Sequence, residues 1–404
     1  MPVVIAFCGL TAAIEPASAQ TWTQTSATNW IFTSIASSAD GSKLMAVGGG
    51  LICASTNSGA TWMQLTNPAG PTSELLFVTL SADGTKIAGT AFDNIYGYIY
   101  TSTNFGLTWV SNTVPSQNLM GIASSADGAR LVAVAGESTT LNIDPITTGP
   151  IYVSTNAGVT WAASGAPSNY WSCVASSADG TKLAAGMVGI GPNGNAPSGL
   201  IYVSSDSGTT WKPTCAPSNA WASIASSADG TKLAAASLVS IYTSPDAGAT
   251  WVSNSVQTMA FPLLVWQAIT MSADGTRLAT MDLNDHLYSS TNFGASWVSN
   301  SMPQPGIALA SSADGNKLAA SVYNQGGIYT LQFMPNPQLN IAPLGGNCIL
   351  SWIVPATKFV LQQSPDLSSW TDVTNPPALN LSNLCNEVFF SPTSNSGYFR
   401  LISQ

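Results

Sequence analysis

The stretch Asn219–Trp251, NAWASIASSADGTKLAAASLVSIYTSPDAGATW, recurs with edits from about Thr21 to about Phe333. A repeat of this length narrows the possible folds more than any other property of the chain, because each copy has to form the same supersecondary unit. The unit splits into four short runs. Trp221–Ser226 leads into Ala228-Asp229-Gly230-Thr231, and an Asp-Gly pair between apolar runs predicts a hairpin, since glycine accepts the positive φ of a tight turn. Lys232–Ser237 returns as a second strand. Ile241-Tyr242-Thr243 is a third, rich in β-formers. Ser244–Trp251 turns again into a fourth. Four antiparallel strands at a period of about 40–45 residues match one blade of a propeller.

The Asp-Gly hairpin occurs seven times, at Asp40, Asp83, Asp127, Asp179, Asp229, Asp274 and Asp314. The second turn occurs six times, ending at Trp62, Trp109, Trp161, Trp211, Trp251 and Trp297. The seventh unit reaches Ile328-Tyr329-Thr330 without its Trp, whereas Thr21-Trp22 precedes the first unit. The expectation is an all-β chain: a seven-bladed β-propeller whose N-terminal strand completes the last blade, followed by a small β-sandwich. Such closure removes free sheet edges.

The second turn reads STNSGATW, STNFGLTW, STNAGVTW, SSDSGTTW, SPDAGATW and STNFGASW. It resembles the Asp-box (BNR) repeat, S/T-x-D/N-x-G-x-T/S-W, and the resemblance covers the whole repeat region. Asn57, Asn104, Asn156 and Asn292 stand where that family often has Asp; Asp206 and Asp246 keep it. Asp boxes occur in sialidases, xyloglucan-cleaving glycosidases, sortilin-type receptors and the photosystem II assembly factor family. The resemblance implies that the box is a structural turn and that its Trp packs between blades. A short Asn or Asp side chain suits that task, since it can satisfy turn amides.

Flanking segments complete the domain map. Residues 1–19 resemble an export signal, with an apolar stretch from Pro2 to Ile14 and Ala17-Ser18-Ala19 as a cleavage pattern. The expected divisions are a signal peptide at 1–19, the propeller at 20–333, a Pro-rich linker at 334–337 and a C-terminal module at 338–404. The module's pattern, LSW…FVLQQSPDLSSWTDV…GYFRL, resembles a small β-sandwich of secreted bacterial proteins. Export predicts a secreted, cell-surface or periplasmic protein, and it permits Cys348 and Cys385 to pair. No further run is long enough to span a membrane.

Charge is scarce: 7% of residues, against about 25% in an average domain. The net charge of −9 and the absence of basic runs argue against nucleic acid. Seven of the ten cations stand three residues after a hairpin Asp: Lys43, Lys86, Arg130, Lys182, Lys232, Arg277 and Lys317. Each is expected to face the Asp of its own turn. This allocation leaves no arginine triad of the kind a sialidase uses on its substrate carboxylate. The acids outside hairpins, boxes, tail and signal are Glu74, Asp93, Glu137, Asp144, Asp282 and Asp285. All fall in connections at the end of the blades opposite the tight turns.

That end also carries the longest insertions, and variable loops on a rigid scaffold are where binding usually sits. Phe32, Trp171, Trp221 and Trp266 precede or open the innermost strands. Together with Glu137 and His286 they are candidate ligand-binding residues; the alternative for the aromatics is inter-blade core. Asp93, Asp144, Asp282 and Asp285 are the weak candidates for a glycosidase carboxylate pair. The loop holding Asp282 and Asp285 suits Ca²⁺ or a capped turn equally; no other cofactor is indicated. The expected function is non-catalytic binding of a protein or glycan. A self-assembling structural component and a glycoside hydrolase are the alternatives.

Overall fold

The computed structural model describes residues 22–28, 30–70, 73–92, 97–112, 114, 118–136, 148–188, 199–237, 240–254, 266–282, 284–323, 326–333, 339–344, 347–353, 359–365, 368–380, 385–390 and 398–403. The chain divides into two compact units, Gln20–Gln332 and one containing Phe333–Gln404. All regular structure among the described residues is β.

Among the described residues the larger unit holds seven four-stranded antiparallel sheets. The fifth is built from Trp221–Ser226, Leu233–Ser237, Ile241–Ser244 and Val252–Asn254, in that order. The runs expected from the repeat thus become the strands, and the Asp-Gly and box turns join them. The second strand of this sheet is buried along its whole length, as are its counterparts Leu44–Gly48, Leu131–Ala135, Leu183–Met187 and Leu278–Asp282. Both faces of each sheet are therefore covered, and near-continuous apolar runs replace simple alternation. The cores lie between successive sheets: Cys173, Ala175 and Ile201 of the fourth pack with Trp221, Ile224 and Leu233 of the fifth. This stack is a β-propeller.

The seventh sheet has strands Gly306–Ser311, Lys317–Val322 and Gly327–Gln332, and its outermost strand is Thr23–Thr28 from the other end of the chain. The register is that of the repeat. In the fifth sheet, Val252, which follows Trp251, pairs with Thr243. In the seventh, Thr23, which follows Trp22, pairs with Thr330 at the equivalent position. Trp22 accordingly takes the place of the Trp that the seventh unit lacks.

A second device links the sheets cyclically. The residue before each hairpin Asp donates its N–H to the carbonyl of the same residue in the next sheet. The chain of bonds runs Ala39, Ala82, Ala126, Ala178, Ala228, Ala273, Ala313 and back to Ala39, each at 2.7–2.8 Å.

In the smaller unit, one sheet orders Asn340–Leu344, Asn347–Ile353, Cys385–Phe390 and Ala378–Asn380. The other orders Thr371–Asp372, Phe359–Ser364 and Tyr398–Ser403. Leu350, Leu361 and Val388 form the core they share. The register overturns the Cys348–Cys385 pairing. Cys348 lies opposite Phe390, and Cys385 opposite Ile353. Five strand residues at about 3.3 Å each put the two cysteines roughly 17 Å apart along the sheet, far beyond the ~7 Å limit between Cα atoms for a disulfide.

Candidate functional site

The two ends of the propeller differ in chemistry. At the tight-turn end the Ser and Asp of each hairpin are committed to the turn. In the fifth sheet Ser227 Oγ donates to Asp229 Oδ1 at 2.6 Å and accepts the Lys232 N–H at 3.0 Å. The Thr231 N–H and hydroxyl close on the same carboxylate at 3.0 and 2.8 Å. These bonds to Ser227 and Thr231 hold Asp229 down to about 2, with a smaller contribution from the Lys182 charge; Asp40, Asp83 and Asp179 are lowered to about 2 in the same way. Hydrogen bonds to the ionised form favour it.

The cations do not face their own Asp, contrary to expectation. Each reaches the next sheet: Lys43 Nζ donates to the Asp83 carbonyl, Lys86 to Asp127, Arg130 to Asp179, Lys182 to Asp229, Lys232 to Asp274 and Lys317 to Asp40, at 2.6–3.0 Å. The carbonyl of the neighbouring turn points at the cation, whereas the Asp carboxylate of its own turn is folded back onto Ser and backbone. Arg277 is the exception. Its stem lies on Gly315, but its guanidinium has no hydrogen bond among the described residues. The seventh sheet, on that side, is the one without a second turn.

The second turns repeat one bonding pattern. Ser244 Oγ accepts the Gly248 N–H at 2.8 Å, and Asp246 takes the Thr250 N–H and hydroxyl at 2.8 and 2.7 Å. Asn57, Asn104, Asn156 and Asn292 accept the equivalent N–H through Oδ1 and donate Nδ2 to the Thr or Ser hydroxyl; Asp206 behaves as Asp246 does. A non-glycine residue of each turn has positive φ, from 54° to 57°, at Ser58, Phe105, Ala157, Ser207, Ala247 and Phe293. Its N–H bonds to the hairpin of its own sheet, as Ala247 does to Thr231 O at 2.6 Å. In all six turns the Asn or Asp side chain is thus bonded within its own turn.

At the loop end the aromatic candidates are corrected. Phe32, Trp171, Trp221 and Trp266 are at most 1% exposed. Trp221 packs edge-on against Tyr242 at 5.3 Å and beside Trp251 at 6.4 Å, and Trp171 repeats this with Tyr202 and Trp211. Aromatic rings this enclosed belong to the core between sheets and offer no face to a ligand.

Asp282 and Asp285 do not form a facing pair. Asp282 is fully buried at the end of its strand. Its Oδ1 accepts the N–H groups of Asn284 and His286 at 2.8 and 3.0 Å, and its Oδ2 accepts the Tyr288 hydroxyl at 3.3 Å. His286 Nδ1 stands 3.3 Å from Oδ2 without hydrogen-bond geometry, and its ring is partly exposed. Burial, with the Asp282 charge adding to it, pushes the Tyr288 hydroxyl up to about 12. Asp282 therefore caps the loop to His286. Asp285 is exposed at φ 63°, and its carbonyl accepts the Met302 N–H at 2.6 Å. Asp93, Glu137 and Asp144 lie outside the described residues.

The structure brings forward residues that the repeat comparison passes over. Trp30, Ile31 and Tyr323 are 51%, 49% and 42% exposed at the loop end, in the connections flanking the first and seventh sheets. Their positions carry other residue types elsewhere, as Tyr323 is matched by Val188, whose N–H bonds to the Tyr170 carbonyl as that of Tyr323 does to Pro305; sequence gives no exposure, and the one available signal is a Trp-Ile pair in a connection.

No family model and no curated protein sequence matches this chain. Solved structures do match. "YCF48 bound to D1 peptide" is similar at a TM-score of 0.58 and 13% identity, over 80% of this chain and 99% of that one. YCF48 from Cyanidioschyzon merolae is similar at 0.56 and 14% identity, over 78% of this chain and 99% of that one. At such identity the likeness concerns the fold, and it agrees with the β-propeller described above.

Proposed function

We propose that this chain is an exported, non-catalytic propeller of seven blades that binds a polypeptide partner at its loop end. The observation that carries the reading is the division of labour between the ends. Tight-turn residues are bonded to one another sheet after sheet, while exposed aromatic surface sits in irregular connections at the other end. The likeness to a propeller solved with a peptide supports a protein partner. The cyclic run of backbone bonds and the register of Thr23 with Thr330 support closure of a seven-membered ring by the N-terminal strand. The shared bonding of the six second turns supports the Asp-box reading. Two sheets around one small core support a C-terminal β-sandwich, and the apolar run ending in Ala17-Ser18-Ala19 supports export.

A peptide array and a glycan array probed with the purified chain, beside a glycan hydrolysis assay, test the proposal. The expected result is saturable peptide binding without turnover, unchanged by Lys86→Ala at the tight-turn end. Turnover lost in Asp282→Asn, or binding confined to glycans, would replace this reading with one of its alternatives.

A further inference from the structure

We propose that Trp30, Ile31 and Tyr323, with Glu74, form the docking point on the loop end, and that its occupant is a polypeptide segment combining apolar and cationic side chains. This inference rests on the polypeptide-binding reading above.

The aromatics are held by built backbone. Tyr323 N–H bonds to the Pro305 carbonyl at 3.0 Å, and its own carbonyl takes the Gly326 N–H at 3.2 Å, closing a turn. On the far side of that turn the Gly327 N–H bonds to the Trp30 carbonyl at 2.7 Å. Gly326 has φ +60°, and a Cβ there would lie 2.4–2.6 Å from the Trp30 backbone. Trp30 and Tyr323 thus flank one turn at the junction where the N-terminal strand joins the seventh sheet. From the other side, Thr33 Oγ1 donates to the Leu76 carbonyl at 2.8 Å, tying this connection to the strand that opens with exposed Glu74.

Large apolar side chains left half-exposed together mark interaction sites more often than scattered ones do, and Trp and Tyr dominate binding energy at such sites. Charge then selects the partner. Six of the seven repeat cations are bonded to hairpin carbonyls at the opposite end. Arg277 sits at that end too, on Gly315, and Lys212 lies on an outer strand. The exposed ionic groups at the loop end, among the described residues, are the carboxylates Glu74 and Asp285. An acidic segment would meet like charge there. A lysine or arginine would meet Glu74 and aromatic faces, both of which attract cations.

Fluorescence anisotropy tests this with three labelled synthetic decapeptides: Lys alternating with Leu or Phe, the same with Glu for Lys, and oligolysine. The Lys/apolar peptide is expected to bind most tightly, at least about tenfold more weakly to Trp30→Ala or Tyr323→Ala, and more weakly to Glu74→Gln and at raised salt. These side chains are exposed, so circular dichroism should match the parent. Equal binding of the Glu peptide or of oligolysine overturns the site, as does indifference to all three substitutions. If array peptides bind while these substitutions change nothing, the polypeptide-binding reading survives and this site does not. If no peptide binds at all, both fall.

Discussion

The matched aromatic triads of the fourth and fifth sheets allow a stability prediction with its sign fixed by one hydrogen bond. Trp171 and Trp221 are equally buried, each edge-on to a Tyr and tilted against a box Trp. They differ at the indole nitrogen. Trp221 Nε1 donates to the Gly199 carbonyl at 3.0 Å, whereas Trp171 Nε1 is buried without an acceptor among the described residues. Replacing either by Phe removes the same volume, so the packing losses largely cancel in the comparison. Trp221→Phe also loses a hydrogen bond worth about 1 kcal/mol net. The loss stays that small because Gly199 O still holds the Asn219 N–H at 2.9 Å. Trp171→Phe instead removes an unsatisfied donor whose burial costs roughly 1–3 kcal/mol. Trp221→Phe should therefore be the more destabilising by about 2–4 kcal/mol. Guanidinium unfolding followed by near-ultraviolet circular dichroism should show this as a lower midpoint at unchanged slope. Equal midpoints, or a lower one for Trp171→Phe, would refute the hydrogen-bond argument. Trp221→Ala sets the scale: about 3–5 kcal/mol if the ring is core, and close to zero if it were an exposed ligand platform.

Three further outcomes are expected. Asp40, Asp83, Asp179 and Asp229 are held at about 2 in the fold, against about 3.9 in an unfolded chain. Their contribution is thus fully present above about pH 4 and is lost as pH falls through 2; acid titration of the unfolding midpoint should be flat from pH 7 to 5, and Asp229→Asn should flatten its fall at lower pH. Lys182→Ala removes a cation bonded to the next sheet and should cost no more than about 1 kcal/mol, while Arg277→Ala, which loses stem packing on Gly315 but no hydrogen bond among the described residues, should lower the thermal midpoint less than Lys182→Ala does. A thiol reagent on the native chain should modify exposed Cys215 and spare Cys173, whose thiol burial pushes up to about 12; mass spectrometry of the labelled peptides reads the outcome.

The parts of the fold legible in sequence were those that chemistry confines to a few residues. Asp229-Gly230 and the Ser244, Asp246, Gly248, Thr250 and Trp251 positions each admit only one or two residue types, so their recurrence fixes strand order and period. The partner of Lys182 was not legible, because it lies one sheet away, 47 residues on, and nothing local distinguishes the two carbonyl and carboxylate targets. The same holds for Cys348 and Cys385: spacing says they are near the same strands, and only the register says they are five pairs apart. Trp171, Trp221 and Trp266 open strands at the loop end, where a ring can turn either to solvent or between sheets. Their side was set by the small residues opposite, such as Gly186, where a Cβ would meet the Trp221 side chain at 2.9 Å.

That last contact bears on where function can evolve in a chain of this kind. Regular positions are constrained twice, by their own sheet and by the next: a hairpin cation holds a neighbour's carbonyl, a box glycine packs on the preceding outer strands, as Gly248 does against Thr214 and Val203, and an inner Trp fills the gap between two sheets. A substitution at such a position perturbs an interface that recurs from sheet to sheet, so these positions have little freedom to acquire ligand contacts. The junction of the first and seventh sheets is different. There Thr23–Thr28 supplies the outer strand, and Trp30, Ile31 and Tyr323 stand where other units carry different residues, such as Asn219, Ala220 and Val188, so the repeat does not fix the side chain at these positions. Exposed aromatic surface at that interruption is the strongest reason to look for a partner there, rather than at the motif residues that make the fold recognisable.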